Sequence, residues 1–323
     1  ISLRRQETTQ LTYIVQTYRR GYYRLGPLRL KTSDLFGLFP EQLASLPADF
    51  LTVYPRIWTL GQLRLPTRLP FGAIGSRQRL FEDPARPMGV RQFRSGDSQR
   101  QINWKASAHT QELLVKTFEP AISLETAVLL NLHLGDYVWR DRAYTTEWAI
   151  EVAASLAAHL INLRQPVGLV SNGIDPLYQP QGNPVEFDEK SGRLLFAQST
   201  ETNQFVLPPV IPPRPGRPHL MKILERLARL EASHTVPFAQ WAATACLDLS
   251  WGVTILAITP TGNESTCHTL HRLVRAGFNP ILLVVEPDHE FGRVREHARR
   301  LGFAAYPVTE RRDLERWQRP YPN

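Results

Sequence analysis

The residues that could act together chemically are concentrated in one stretch, Arg91 to Glu119. Within it the turn dipeptide Gly96-Asp97 precedes a polar segment in which Arg100 and Trp104 are four residues apart, the spacing of one helical face. A large aromatic side chain among guanidinium and ammonium groups can anchor a binding partner. The candidate interaction residues are Arg91, Arg94, Gly96, Asp97, Arg100, Trp104 and Lys105.

Trp104 allows two interpretations at this level. It is either a core side chain at the joint between two domains, with solvated or ion-paired basic neighbours, or an exposed anchor. Asp97 and Glu112 could form an acid-base pair only if they converge, and a turn carboxylate and a helix-end carboxylate explain them as well.

Sequence motifs of the common catalytic classes are absent. There is no G-x-S-x-G elbow, phosphate-binding loop or G-x-G-x-x-G segment, and the nine histidines form no H-E-x-x-H pair. The two cysteines, Cys246 and Cys267, have no metal-site spacing, so we expect buried free thiols in a reducing compartment.

The elements that must position these residues fall into two parts. In residues 1–121 the alternating segments Leu11–Val15, Tyr22–Lys31 and Leu51–Tyr54 predict an antiparallel β sandwich or barrel. The Pro-, Gly- and Arg-rich stretch from Leu60 to Pro87 predicts a long irregular loop.

Residues 122–323 alternate strand and helix patterns instead. A buried strand from Thr126, a helix from Thr145 and a strand at Val167–Ser171 begin the series, and a polar insertion at 172–217 with hairpin strands interrupts it. Such repetition predicts an α/β doubly wound domain, an open parallel sheet covered on both faces. Ligands of these sheets bind at the carboxyl ends of the strands.

The net charge of +8 is unevenly placed. Residues 1–121 contain 18 Lys and Arg against 9 Asp and Glu, whereas the rest of the chain contains 20 against 21. A basic N-terminal part suits the anionic cytoplasmic leaflet of a membrane, and electrostatically it also suits nucleic acid. No recognition helix, zinc finger or stacking motif accompanies the charge, so we expect no nucleic-acid partner.

Three ordered motifs resemble the bacterial family called domain of unknown function 58. From Arg91 the chain reads R-Q-F-R-S-G-D-S-Q-R-Q-I-N-W-K-A-S-A, followed by L-L-V-K-T-F-E. Upstream, R-R-G-Y-Y-R-L-G-P-L from Arg19 and D-L-F-G-L-F from Asp34 are similar to the family's paired motifs. Downstream, P-G-R-P-H-L from Pro215 resembles its lead-in to a helix.

The resemblance implies an architecture and a setting. The family combines a β-rich domain with a von Willebrand factor A-like domain, often behind a membrane anchor and often encoded with MoxR-type AAA+ ATPases. We therefore expect an anchor upstream of Ile1 and a position at the cytoplasmic face of the bacterial membrane.

The resemblance also implies where a divalent cation would bind. Von Willebrand factor A folds commonly hold one at the end of their first strand, using an Asp-x-Ser-x-Ser turn, a Thr and a second Asp. Asn131 stands in place of the first Asp, and His133 and Gly135 stand in place of the two Ser residues. Hard cations need oxygen ligands and carboxylate charge, so we expect a degenerate site without Mg²⁺. The corresponding positions are Asn131, His133, Gly135, Asp136, Thr259 and Thr261.

Two functional hypotheses follow. The first is a non-enzymatic interaction module that acts as an adaptor for a MoxR-type AAA+ ATPase or an envelope assembly system. It would dock its partner through the candidate interaction residues. The second is a divalent-metal-dependent ligand-binding or hydrolytic domain in which Asp136 acts with Thr259 or Thr261.

Overall fold

The computed structural model describes most of the chain. The described residues are 8, 10, 12, 14–32, 42–63, 82–94, 102–120, 125–178, 186–188, 190–195 and 206–308. Among them, no helix combines the length and the apolar character that crossing a bilayer requires.

The strands of the described N-terminal part form three antiparallel pairs, as predicted, whereas their closure into a sandwich or barrel stays a prediction. The strands are β1 (Gly21–Leu25), β2 (Leu28–Thr32), β3 (Gln42–Leu46), β4 (Asp49–Val53), β5 (Glu82–Gln92) and β6 (Leu114–Pro120). β1 pairs with β4, β2 with β3, and β5 with β6. The first two pairs continue one another and are separated at Gly26 and Pro27, where proline has no amide N–H to donate.

Two predictions about the N-terminal part are wrong. Ile14 and Val15 are exposed and lie outside any strand, because an alternating pattern forms a stable strand only where a partner strand pairs with it. Residues 82–87, predicted as irregular loop, belong to β5, which pairs with β6 through register shifts around Pro87. Such shifts accommodate a residue that cannot donate to the ladder. Residues 64–81 lie outside the described residues.

The remaining described elements are the strands and helices of residues 126–307, together with α1, which lies between β5 and β6. The strands are β7 (Thr126–Leu130), β8 (Val167–Ser171), β9 (Glu186–Phe187), β10 (Leu194–Leu195), β11 (Ile211–Arg214), β12 (Thr254–Thr259), β13 (Asn279–Val284) and β14 (Ala304–Pro307). The helices are α1 (Trp104–Thr110), α2 (Arg142–Asn162), α3 (Arg217–Arg229), α4 (Phe238–Ala245), α5 (Glu264–Arg275) and α6 (Phe291–Arg300).

A six-stranded sheet in the order β11-β8-β7-β12-β13-β14 is the centre of the molecule. β7, β8 and β12 are buried along their whole length, as continuous apolar runs in a doubly covered parallel sheet should be. The sequence did not predict β11, which pairs antiparallel with β8 and makes the sheet mixed. Its Ile-Pro-Pro-Arg sequence suits an edge position, where a missing N–H leaves no ladder bond unmade.

The helices cover both faces of the sheet, as predicted. α2 and α3 pack on one face with Val128, Leu130 and Leu256. α4, α5 and α6 pack on the other face with Leu129 and Ile255. Cys246 and Cys267 are buried free thiols in this second core, as predicted, and burial raises the pKa of Cys246 to about 12 and that of Cys267 to about 11.

The N-terminal part contributes directly to the first of these cores. Trp58, Leu60 and Leu63 are buried in the same hydrophobic cluster as α2, and Trp58 meets Trp148 edge to face with ring centroids 6.3 Å apart. Trp58 Nε1 donates to Glu151 Oε2 at 2.8 Å, and its backbone N–H donates to Ser155 Oγ at 2.9 Å. Two of the buried polar side chains of α2, Glu151 and Ser155, thus have partners that lie almost a hundred residues earlier.

Arg20 makes a second link between the N-terminal part and the helices. Its guanidinium is buried, donates to both carboxylate oxygens of Glu147 at 2.9 Å, and donates to the carbonyl oxygens of Leu227 and Ala228. Those carbonyls belong to the last turn of α3, where backbone acceptors lack intrahelical partners and the helix dipole favours a cation. The domain boundary near residue 121 therefore stays a prediction, with contacts that cross it.

The predicted hairpin of the insertion is present as β9 and β10, which pair antiparallel. The insertion also touches the N-terminal part. Tyr22, Phe50 and Phe187 form an aromatic cluster, and the Arg24 N–H donates to the Gly192 carbonyl at 2.8 Å.

The contact between Trp58 and Glu151 yields a stability prediction. Trp58→Phe keeps an aromatic ring but removes the N–H, so that a buried carboxylate oxygen loses a donor. We expect the free energy of unfolding in urea to fall by about 2 kcal/mol. The matched control is Trp139→Phe, because Trp139 is 77% exposed and its substitution should change stability by less than about 0.5 kcal/mol. Equal effects of the two substitutions would contradict this account.

Candidate functional site

The carboxyl end of β7 is the strand end at which the sequence placed a degenerate cation site. Asn131 follows β7 directly and is buried, and its backbone N–H donates to the Ile258 carbonyl at 3.0 Å. The chain then turns through a short 3-10 segment, Leu134–Asp136. This turn brings Asp136 back towards the end of the strand.

Asn131 and Asp136 form a direct hydrogen bond. The side-chain amide of Asn131 donates through Nδ2 to Asp136 Oδ2 at 2.9 Å. The same carboxylate oxygen accepts the backbone N–H of Phe238 at 3.2 Å. Phe238 begins α4, so Asp136 also satisfies an amide that has no partner inside the helix.

Asn172 completes the network, although the sequence analysis did not identify it. Its Oδ1 accepts the Leu132 N–H at 2.6 Å, and its Nδ2 donates to Asn131 Oδ1 at 2.9 Å and to the Val236 carbonyl at 3.0 Å. The available signal was positional, because Asn172 follows β8 as Asn131 follows β7, and parallel neighbouring strands end at the same edge of a sheet.

The other predicted positions of this site differ in whether they contact the network. The His133 N–H donates to Asn131 Oδ1 at 3.1 Å, and burial lowers the pKa of its imidazole, although the charge of Asp136 opposes this. Gly135 is exposed within the turn. Thr259 Oγ1 donates to the Thr261 carbonyl at 2.9 Å, so these two residues bond within their own loop.

Tyr137 and Glu286 are further side chains of this region that the sequence did not indicate. Tyr137 is buried and donates its hydroxyl to the Asn131 carbonyl. Burial raises the pKa of Tyr137, and the negative charges of Asp136 and Glu286 raise it further. The phenol therefore stays protonated and serves as a hydrogen-bond donor.

The six predicted positions provide few of the charged oxygen ligands that a divalent cation prefers. Asp136 is the sole carboxylate among the six predicted positions, and one of its oxygens already accepts two N–H groups. The described residues contain no group of three or more His, Cys, Asp or Glu side chains that could hold a metal ion. The amide of Asn131 instead occupies the position facing the carboxylate, as a donor with no charge.

The second candidate region, called the signature surface below, is formed by Arg91, Arg94, Trp104 and Lys105. Arg91 lies on β5, Arg94 just beyond it, and Trp104 and Lys105 in the first turn of α1; all four are exposed. Trp104 is 67% exposed, which decides between its two interpretations in favour of a surface residue. Gly96, Asp97 and Arg100 lie outside the described residues.

α1 is held on β6 without using Trp104. Asn103 caps the helix by accepting the Ala106 N–H, and its own N–H donates to the Leu114 carbonyl at 2.8 Å. Ser107 is the buried residue of the helix, and its Oγ accepts the Leu114 N–H at 2.9 Å. Since these contacts fix the helix, the indole of Trp104 is presented to solvent by a supported backbone.

The segment that contains the signature surface matches a known protein family. Residues 89–184 match the family model described as "Protein of unknown function DUF58". The match includes the signature surface and the strand-end network up to Asn172. The motifs predicted near Arg19 and Pro215 lie outside the matched residues.

One curated bacterial protein is similar to part of this chain. "Uncharacterized protein YeaD" of Bacillus subtilis (strain 168) is 24% identical over 163 residues, which cover 50% of this chain and 39% of the relative. The matched part of the chain therefore spans about two fifths of the length of that relative.

Exchange of the amide at position 131 tests how the network is held. Asn131→Asp would place two carboxylates at hydrogen-bond distance with no proton donor between them. We expect unfolding free energy without metal to fall by about 2 kcal/mol or more. We also expect millimolar Mg²⁺ to raise the melting temperature of this variant by mass action, and to leave that of the parent unchanged.

The control for this experiment is the double variant Asn131→Asp/Asp136→Asn, which restores one amide and one carboxylate. It should regain part of the lost stability and lose the response to Mg²⁺. A parent protein that is itself stabilised by Mg²⁺ would contradict the network and support the metal-dependent hypothesis.

Proposed function

We propose that this chain is a protein-interaction module that binds a partner through the signature surface and carries out no catalysis of its own. The observation that carries the proposal is the exposure of Trp104 on a helix that other residues anchor. Tryptophan and arginine are the residue types most enriched among side chains that dominate binding energy. Here one exposed tryptophan lies with three basic residues in the family-matched segment.

The architecture proposed for the module has two parts. Residues 1–121 form the basic β-rich part, and residues 122–323 form a von Willebrand factor A-like α/β domain with the insertion 172–217. The central sheet with helices on both faces supports the second part. The strand end of that domain contains the hydrogen-bond network of Asn131, Asp136 and Asn172.

The partner proposed for the signature surface is a MoxR-type AAA+ ATPase at the cytoplasmic face of the bacterial membrane. The family resemblance supports the choice of ATPase. The excess of basic residues in 1–121 supports a place beside an anionic leaflet, because each basic group near such a surface contributes about 1 kcal/mol.

Truncation of Trp104 tests the proposed surface. Trp104→Ala should weaken binding to the purified AAA+ ATPase by roughly 30-fold, about 2 kcal/mol, because a central aromatic anchor is removed. The affinity is measured by biolayer interferometry with nucleotide and Mg²⁺ present, and pull-down from solubilised membranes identifies the ATPase.

The matched control for Trp104→Ala is Trp139→Ala. Trp139 is also exposed but follows the strand-end turn, away from α1 and β6 in the chain. Its truncation should leave binding unchanged. If Trp104→Ala keeps the parent's melting temperature and the parent's affinity, the signature surface is not the binding site.

A further inference from the structure

A cavity of about 790 Å³ lies between the N-terminal part and the start of α2. Residues 17–20 and 53–56 form one wall, and the first turns of α2 form the facing wall. Leu134, Arg193 and Glu231 contribute further lining. This volume is in the range of small-molecule sites.

The charges around this joint cavity are not balanced. The charged lining side chains are Arg19, Arg20, Arg56, Arg142, Arg193, Glu147, Glu151 and Glu231. All three carboxylates have partners: Glu147 binds Arg20, Glu151 accepts from Trp58, and Glu231 lies 3.8 Å from Arg193.

Three arginines remain after these pairs are made. Arg19, Arg56 and Arg142 make no ion pair or side-chain hydrogen bond with any other described residue. Arg19 and Arg56 are exposed and Arg142 is half-buried, so their guanidinium groups are available to a ligand in the cavity. Guanidinium groups bind phosphate with paired N–H donors of fixed geometry.

The position of Arg142 adds an independent argument. It is the first residue of α2, a helix of 21 residues whose first turn contains no acidic side chain and whose N-cap, Asp141, makes no side-chain cap bond. Apart from the carboxylate of Asp141 at the N-cap, the charges at this helix end are positive, and a bound anion would interact favourably with both the Arg142 guanidinium and the helix dipole. Local conflicts of this kind are typical of functional positions.

Aromatic side chains complete the lining. Tyr18 and Tyr54 are exposed at the cavity, and Tyr144 lines it from α2. An exposed phenol ring beside an arginine can stack on the planar ring of a ligand, while the guanidinium groups bind the phosphates of the same ligand.

We propose that the joint cavity binds a phosphorylated small molecule, with Arg19, Arg56 and Arg142 as its phosphate ligands. The shared chemistry is a diphosphate group, which either free pyrophosphate or a nucleoside diphosphate supplies. The site is separate from the signature surface and does not depend on the function proposed for it.

Isothermal titration calorimetry of the full chain at 150 mM salt tests this site with three probes: pyrophosphate, ADP and adenosine. We expect saturable binding of pyrophosphate and ADP and none of adenosine. Tighter binding of ADP than of pyrophosphate would assign the tyrosines to the nucleoside ring. Equal binding would assign recognition to the phosphates. Absence of binding by both phosphorylated probes would overturn the proposal.

Substitution of the arginines tests the assignment. Arg56→Gln and Arg142→Gln should each weaken pyrophosphate binding at least 10-fold. Arg142→Gln should leave the melting temperature of the free protein unchanged or higher, since it removes a cation from the positive end of α2. If Arg142 had only a structural role, its substitution would lower the melting temperature. The matched control is Arg275→Gln, an exposed arginine of α5 on the opposite face of the sheet, which should bind like the parent. Equal losses in all three variants would show non-specific charge attraction and overturn the site.

Discussion

The rest of the structure depends on burial of α2 on nearly all sides. Trp148, Val152 and Leu156 are buried together with neighbours on every side of the helix, which continues as Ala-rich turns to Ile161. A helix that is apolar all round cannot lie at the surface of a soluble protein, so it needs a cover on the side away from the sheet. α3 and the N-terminal segment around Trp58 provide that cover.

This requirement explains where the polar residues of α2 are. Glu151 and Ser155 would each carry an unsatisfied polar group if the cover were purely apolar, and such a group costs about 1 to 3 kcal/mol. The indole and the backbone of Trp58 satisfy both. Arg20 does the same at the end of α3. Hydrogen bonds as well as buried apolar area thus determine which segments cover α2. The cavity with its three arginines lies where these segments meet the start of α2.

At the carboxyl end of β7, an amide instead of a carboxylate at position 131 changes which groups can bind there. A carboxylate at position 131 would face Asp136 with like charge and require a cation between them, whereas the Asn131 amide brings its own protons. Neutral donors of Asn131, Asn172 and Tyr137 make hydrogen bonds along this edge. The residues of this edge up to Asn172 and the exposed Trp104 of α1 lie in the same family-matched segment.

Sequence alone determined the repeating elements of the C-terminal part. Val167–Ser171 was predicted with its observed bounds, β7 begins at the predicted Thr126, and α2 begins three residues before the predicted Thr145, because apolar periodicity is a local property of the chain. The candidate residues Asn131, Asp136 and Trp104 were also found from the sequence, through their place in motifs.

Only the tertiary structure decided what these residues contact. The partner of Asn131 is Asn172, and the partner of Glu151 is Trp58; both pairs join residues far apart in the chain. β11 became an edge strand because the sheet had a free edge beside β8, not because Ile-Pro-Pro-Arg has strand character. Periodicity reports which face of an element is apolar. It contains no information on which distant segment covers that face, since this choice is made by packing and by the need to satisfy buried polar groups.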